Sequence, residues 1–187
     1  QHRYPKVIIE PYVDASVTLK EKLLSDQVDL MIVPQIFEDQ RFISKKIGVV
    51  EHALMCKPSL VNNRTRIRVQ ELSDYRLLTQ DSRSGTGQLY NQWLRSVGIE
   101  PENTIFSNSL VTLIGLTISG MGISYLPRKC LKGMIDSGAL KLLQISPALP
   151  STPYTAIYRG DRQSTLIDSI STLAQETCDF GTIFQSS

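Results

Sequence analysis

The sequence predicts a two-lobed α/β protein in which a middle lobe is inserted into an outer lobe built from both ends of the chain. Three observations carry this. Short runs rich in β-branched and apolar residues alternate with segments whose apolar residues recur at helical spacing, as packed strands and helices require. Two stretches interrupt that alternation, one near 59–63 after Pro58 and one near 146–152 around Pro147 and Pro150. Past the second, a strand at 154–158 and a helix at 164–178 return to close the outer lobe. The expected division is 1–60 with 149–187 outside and 61–148 inserted, the two lobes facing each other across a cleft. Each lobe is expected to hold a mixed sheet flanked by helices.

In chain order, residues 6–10 follow Pro5 and are rich in β-branched side chains, which predicts a strand. Residues 16–27 place Val17, Leu23, Leu24 and Val28 near one face, with Ser16 or Thr18 as N-cap and Thr18 and Glu21 at capping-box spacing. Residues 29–33 are almost wholly apolar and read as a strand buried on both faces of a parallel sheet. One extended stretch is expected over 46–57, ending at Pro58. The inserted lobe reads as strand 76–79, helix 84–97 with Leu89, Trp93, Leu94 and Val97 inward and Gly98 at its end, strand 104–106 and helix 108–119. A glycine turn at 120–122 leads into strand 123–127, then a helix over 128–137 and a strand over 140–145. The closing helix turns Leu166, Ile167, Ile170, Leu173 and Ala174 inward.

With 187 residues, 41% hydrophobic and 20% charged, the chain has the composition of a folded globular protein. No apolar run approaches the 20 or so residues of a membrane span, so no membrane is expected as partner. A formal charge of +2 is too small to argue for a polyanion-binding surface. Cys56, Cys130 and Cys178 are odd in number and widely spaced, which points to a reducing compartment, the cytoplasm, and away from zinc or redox motifs. The first five residues form no signal sequence and carry no Met, so the chain is expected to begin inside a longer protein.

Several stretches together resemble the effector-binding domain of LysR-type transcriptional regulators. They are Tyr4-Pro5-Lys6-Val7, Leu19 and Leu23 leading into Val28-Asp29-Leu30-Met31-Ile32, Leu113 and Leu116 leading into the run from Gly120 through Gly122 to Tyr125-Leu126-Pro127, and Gly138-Ala139-Leu140. The resemblance spans roughly 4–178. It implies two subdomains of the type-2 periplasmic-binding-protein fold, a small-molecule effector between them, and DNA contact through an N-terminal winged helix-turn-helix absent from this chain. It also implies a homodimer or homotetramer in which the helix near Leu19 and Leu23 lies beside a partner helix near Trp93 or Leu116. In the family a strand and helix precede the Tyr-Pro signature, so about 15 to 25 further residues of the domain are expected upstream.

Binding in such a cleft needs donors at helix N-termini, where free N–H groups and the helix dipole favour anions. Two loops have that form. Gln80-Asp81-Ser82-Arg83-Ser84-Gly85 leads into one helix and Asn108-Ser109 into the next, and Ser84 and Ser109 read equally as ordinary N-caps. Pro34 and Gln35 follow a strand at the edge where open α/β sheets bind ligands; by resemblance they border the effector, and Pro34 alone explains a turn. The expected effector contacts are therefore Pro34, Gln35, Gln80, Ser82, Arg83, Ser84, Asn108 and Ser109. Gly85-Thr86-Gly87 lacks the remainder of a nucleotide fingerprint. His52 and Cys56 share a strand face, but two ligands make no metal site and two groups no triad, so they read as structural or pocket-lining. Asp81 and Arg83 read as a loop ion pair, and Arg64, Arg66 and Arg68 as a solvated face. No catalytic cluster, metal set or cofactor motif is found. The expected function is ligand sensing in a transcriptional regulator, the effector being a small anionic metabolite; the alternative is a solute-binding receptor domain of a transport system.

Overall fold

A computed structural model describes residues 4–162 and 164–181. Two sheets organise these residues. The first has three strands: β1 (Met31–Pro34) and β2 (Phe42–Val50) flank β8 (Thr152–Arg159), and both pairs are antiparallel. The second has five, in the order β5 (Thr104–Phe106), β4 (Leu77–Thr79), β6 (Ile123–Pro127), β3 (His52–Cys56), β7 (Lys141–Leu143). It is mixed, since β4 runs parallel to β5 and β6 while β3 runs antiparallel to β6 and β7. Leu78 and Ile32 thus lie in different sheets.

The first sheet corrects three expectations. Residues 6–10 form no strand: they run irregularly with Ile8 85% and Ile9 64% exposed. β-branched residues favour a strand only where a neighbour takes up the backbone groups. Second, β1 is a one-faced edge strand: Met31 and Val33 are buried against Leu23 and Ile157 while Ile32 is 45% exposed. An antiparallel strand next to solvent can alternate in this way even where both faces are apolar in sequence. Third, the stretch 46–57 is two strands. The chain crosses between sheets at Glu51, so His52–Cys56 lies with the second sheet, and the first boundary falls there and not at 59–63. Pro58 ends β3 and marks no crossing, because a 3₁₀ turn over Pro58–Val61 follows it within the same half.

Helix α1 (Ser16–Leu24) packs Leu23 beneath β1. Neither Ser16 nor Thr18 caps it: Ala15 is the N-cap, its N–H held by Asp14 Oδ1 at 2.7 Å. The helix stops before 27 because Ser25 Oγ donates back to the Glu21 and Lys22 carbonyls and Asp26 is left-handed at φ 60°. Helix α5 (Thr165–Thr177) covers β2 and β8, capped by Ser164 Oγ, with Asp168 accepting from Lys45 Nζ at 2.7 Å and Tyr158 Oη at 2.6 Å. Leu166 faces outward at 39% exposure, against expectation.

The second half is better buried. Alternate residues of its central strands feed two cores. Leu54, Leu77, Ile123 and Tyr125 face α2 (Gly85–Ser96) with Tyr90, Trp93 and Leu94, whereas Met55, Leu78 and Leu126 face α3 (Leu110–Ser119) and the short α4 (Lys132–Asp136). Tyr90, more than Leu89, fills the inner face of α2. Fully buried Thr117 and Ser124 bond at 2.6 Å and pin α3 to β6. Gly120, at φ 87°, ends α3 in the left-handed geometry that glycine tolerates best.

Candidate functional site

A cavity of about 200 Å³ lies between the sheets at the C-terminal end of β4, where open α/β folds present ligand sites. Val50 and His52 enter it from the crossing at Glu51, Tyr154 from β8, Thr79 and Gln80 from β4, and Thr86 from the first turn of α2. Leu110 and Leu113 come from α3, Tyr125 and Pro127 from β6; Cys130 and Phe180 complete the wall. Among the described residues no lining side chain is a Lys, Arg, Asp or Glu. A second, more open hollow of about 490 Å³ includes Arg128, Lys141 and Gln144, but it lies wholly against the five-stranded half.

Asp81 organises the cavity's polar edge. Its Oδ1 accepts the Arg83 N–H at 2.9 Å and its Oδ2 accepts Asn108 Nδ2 at 2.8 Å, so one carboxylate joins the two predicted loops. Those bonds, the Asn108 amide foremost, hold its pKa below the usual carboxylate range. Ser84 caps α2, accepting weakly from the Gly87 N–H at 3.5 Å and donating to Gln80 Oε1 at 2.6 Å. Gly87 is required here, since a Cβ would strike the carbonyl oxygens of Gln80 and Asp81. Ser109 caps α3 by accepting from the Thr112 N–H at 3.2 Å.

Of the eight predicted contacts, Gln80 lines the cavity; Ser84, Asn108 and Ser109 brace its rim. Pro34 is buried against Gly85, and Gln35 donates its N–H to the Pro153 carbonyl at 2.8 Å. Arg83 turns away from Asp81 to α1, donating to Thr18 Oγ1 at 2.8 Å and lying 3.9 Å from Glu21, while Ser16 Oγ accepts the Gly85 N–H at 3.1 Å. The Asp81–Arg83 contact is thus a backbone hydrogen bond instead of an ion pair. Arg64 and Arg68 both engage Glu71, and Arg66 reaches Gln144, so the three lie on an exposed face as expected but each has a partner there.

The aromatic wall was not legible in the sequence. His52 stacks on Tyr125 at 4.4 Å, Tyr125 on Tyr90 at 4.7 Å, and Tyr90 on Trp93 at 5.9 Å. Burial lowers the His52 pKa to about 4, a bond to the Val50 backbone opposing it only partly, so the imidazole is neutral at pH 7. Its Nδ1 meets Thr152 Oγ1 at 3.2 Å. Cys56, four residues on, is buried in the α2 core with its thiol pushed up to about 11 by desolvation, and so is no nucleophile paired with His52. Tyr154 Oη lies 3.5 Å from Thr86 Oγ1. The alternation of β3 marks the His52 face, but nothing in the sequence brings Tyr154, about a hundred positions on, to the same wall. Among the described residues no group of three or more His, Cys, Asp or Glu could hold a metal, and no helix is long and apolar enough to cross a membrane.

Two α/β halves with a shared cavity define a ligand-binding domain of the periplasmic-binding-protein-like class. Residues 1–179 match the family model described as the LysR substrate binding domain, and the chain belongs to that family, which is regulatory and not enzymatic. In fold it is similar to the regulatory domain of MetR, a LysR family regulator from N. meningitidis, at 18% identity and TM-score 0.76 over 94% of this chain and 82% of that one. It is also similar to the CcmR regulatory domain of Synechocystis PCC6803 in complex with 2-PG, at 14% identity and TM-score 0.78 over 94% and 85%. The effector-binding domain of QuiR in complex with shikimate matches at 15% identity and TM-score 0.71 over 87% and 78%. No protein of curated function matches the chain by sequence.

Proposed function

We propose that a small metabolite binds between the two sheets and, by setting how the halves close, controls DNA binding by the regulator to which this domain belongs. The observation that carries this reading is a cavity walled from both halves, because an occupant that touches both favours whichever arrangement of the halves gives it better contacts. The small ligands named with the CcmR and QuiR domains support it. The sheets with their helices are taken as the two subdomains, divided at Glu51 and near 150–151. A negative group on the metabolite would be held at the N-termini of α2 and α3, close to Gln80, Ser84 and Ser109, by backbone dipoles, since no cationic side chain lines the cavity.

DNA would be engaged by a winged helix-turn-helix outside this chain, in the cytoplasm, by a homodimer or homotetramer. Leu23 and Trp93 are buried within their own halves, so pairing would rest on exposed flanks such as Val111 of α3. A thermal-shift screen of metabolites tests the central claim. A true effector raises the melting temperature of the native chain and loses that effect in Leu110→Trp, which fills the cavity from its 37% exposed side. A stabilising metabolite that acts equally on Leu110→Trp would place the site elsewhere.

A further inference from the structure

The residues just past α5 turn back over the cleft. Asp179 Oδ1 accepts the Gly181 N–H at 2.6 Å, and between them the Phe180 ring enters the cavity wall. The ring lies 5.0 Å from that of Tyr154, tilted by 42°. Its edge occupies the space above Gly48 of β2, where an added Cβ would come within 2.8 Å of it. The Phe180 carbonyl accepts from Cys130 Sγ at 3.0 Å. Tyr154 and Gly48 belong to the three-stranded sheet and Cys130 follows β6 of the other, so this short strap bridges the halves across the cavity.

The strap is lightly held. A thiol is a weak donor, and the Phe180 side chain is only half-buried. The other lining residues include Val50, Leu110, Leu113 and Pro127, which suit a ring and offer nothing to a multiply charged ion. An apolar cavity of about 150 Å³ admits benzene; the roughly 200 Å³ free here, together with the space that the Phe180 ring now fills, makes room for a larger, fused or substituted ring. Gln80, Thr86 and Tyr154 can exchange hydrogen bonds with a polar substituent on such a ligand.

We infer that Phe180 is a built-in occupant of the cleft and that the effector presents a planar aromatic ring that takes its place. The inference rests on the cleft being the effector site, and it adds the chemical class of the ligand and an internal competitor for it. Such a competitor lowers apparent affinity by the fraction of time its ring is seated.

The test titrates indole, a ring without charge, and citrate, charge without a ring, into the native chain, Phe180→Ala and Gly48→Ala, following backbone amide resonances. Gly48→Ala keeps every lining residue and sets a methyl carbon 2.8 Å from the Phe180 ring edge, so the ring must move from its seat without any change at position 180. With the ring seated about nine-tenths of the time, both variants bind indole about tenfold more tightly than the native chain. The shifts centre on His52, Gln80, Thr86 and Tyr154, and citrate leaves these unmoved. Equal indole affinity in all three proteins, or movement of these resonances by citrate alone, overturns the inference while leaving the cleft as the effector site. If neither probe moves them in any of the three, the aromatic inference fails, and the thermal-shift comparison with Leu110→Trp decides the cleft separately.

Discussion

His52 shows how burial alone can couple a side chain to pH. Its folded pKa is about 4 against an ordinary 6.5, so the unfolded chain takes up the proton first as pH falls. The stability His52 contributes is fully present above pH 6.5 and is lost between 6.5 and about 4. Glu71 does not confuse this window: the Arg68 N–H and the Arg64 guanidinium lower its pKa to about 2, so its loss begins only below its ordinary 4.5. Urea unfolding from pH 7 to 5 should therefore show a decline in the native chain that is smaller in His52→Gln; parallel curves would show that the ring is solvated. The size should stay below about 3 kcal/mol, as the ring keeps some contact with water. Tyr90 makes the complementary case. Its hydroxyl is buried without a hydrogen-bond partner among the described residues, in a ring 1% exposed. An unmet buried hydroxyl costs about 1–3 kcal/mol, so Tyr90→Phe should stabilise by about 1 kcal/mol and raise Tm by about 2–4 °C. A lower Tm in calorimetry would mean that the hydroxyl has a partner in solution.

Elements were legible where the chain carries its own stop and start signals. Helices α2 and α3 were read almost to the residue because Ser84 and Ser109 begin them and Gly98 and Gly120 follow them. Residues 6–10 and β1 were misread because strand character depends on partners that a linear pattern does not contain, and β2 and β3 were fused because a crossing at one residue leaves no compositional mark. Glycines divide in the same way, by what surrounds them. At Gly87 a Cβ meets the backbone of the strand-to-helix turn, which cannot move without shifting Gln80 and Asp81, whereas at Gly115, inside α3, nothing lies within 4 Å. Gly87→Ala should destabilise by about 1–3 kcal/mol through overpacking, and Gly115→Ala should stabilise by about 0.5–1 kcal/mol through helix propensity. Urea midpoints of the two variants moving in the same direction would contradict the geometry of the turn.

At the scale of the whole molecule, two halves facing each other across a cleft were legible from the returning strand and helix, but the lining of the cavity between them was not. Only Gln80 among the expected contacts reaches the cavity, since a sequence shows which loops have donors and not which way two lobes turn them. Arg83 illustrates the difference. Read from sequence it is a cation waiting for an anion; in the fold its guanidinium spans the halves to Thr18 and Glu21, beside the Ser16–Gly85 hydrogen bond and the Val17 N–H donated to the Arg83 carbonyl. These ties hold the N-terminus of α1 against that of α2, and under the proposed function they would set the gap that a bound ligand closes. Being exposed, the Arg83 contacts contribute at most about 1 kcal/mol to stability. Arg83→Ala should therefore leave the urea midpoint nearly unchanged yet weaken every cleft ligand, neutral or anionic, by the same factor, because each meets the added cost of bringing the halves together. Titration calorimetry with indole and with an anionic effector decides the matter. Loss confined to the anion would make Arg83 a direct contact of the ligand, and a common loss would make it the latch between the lobes.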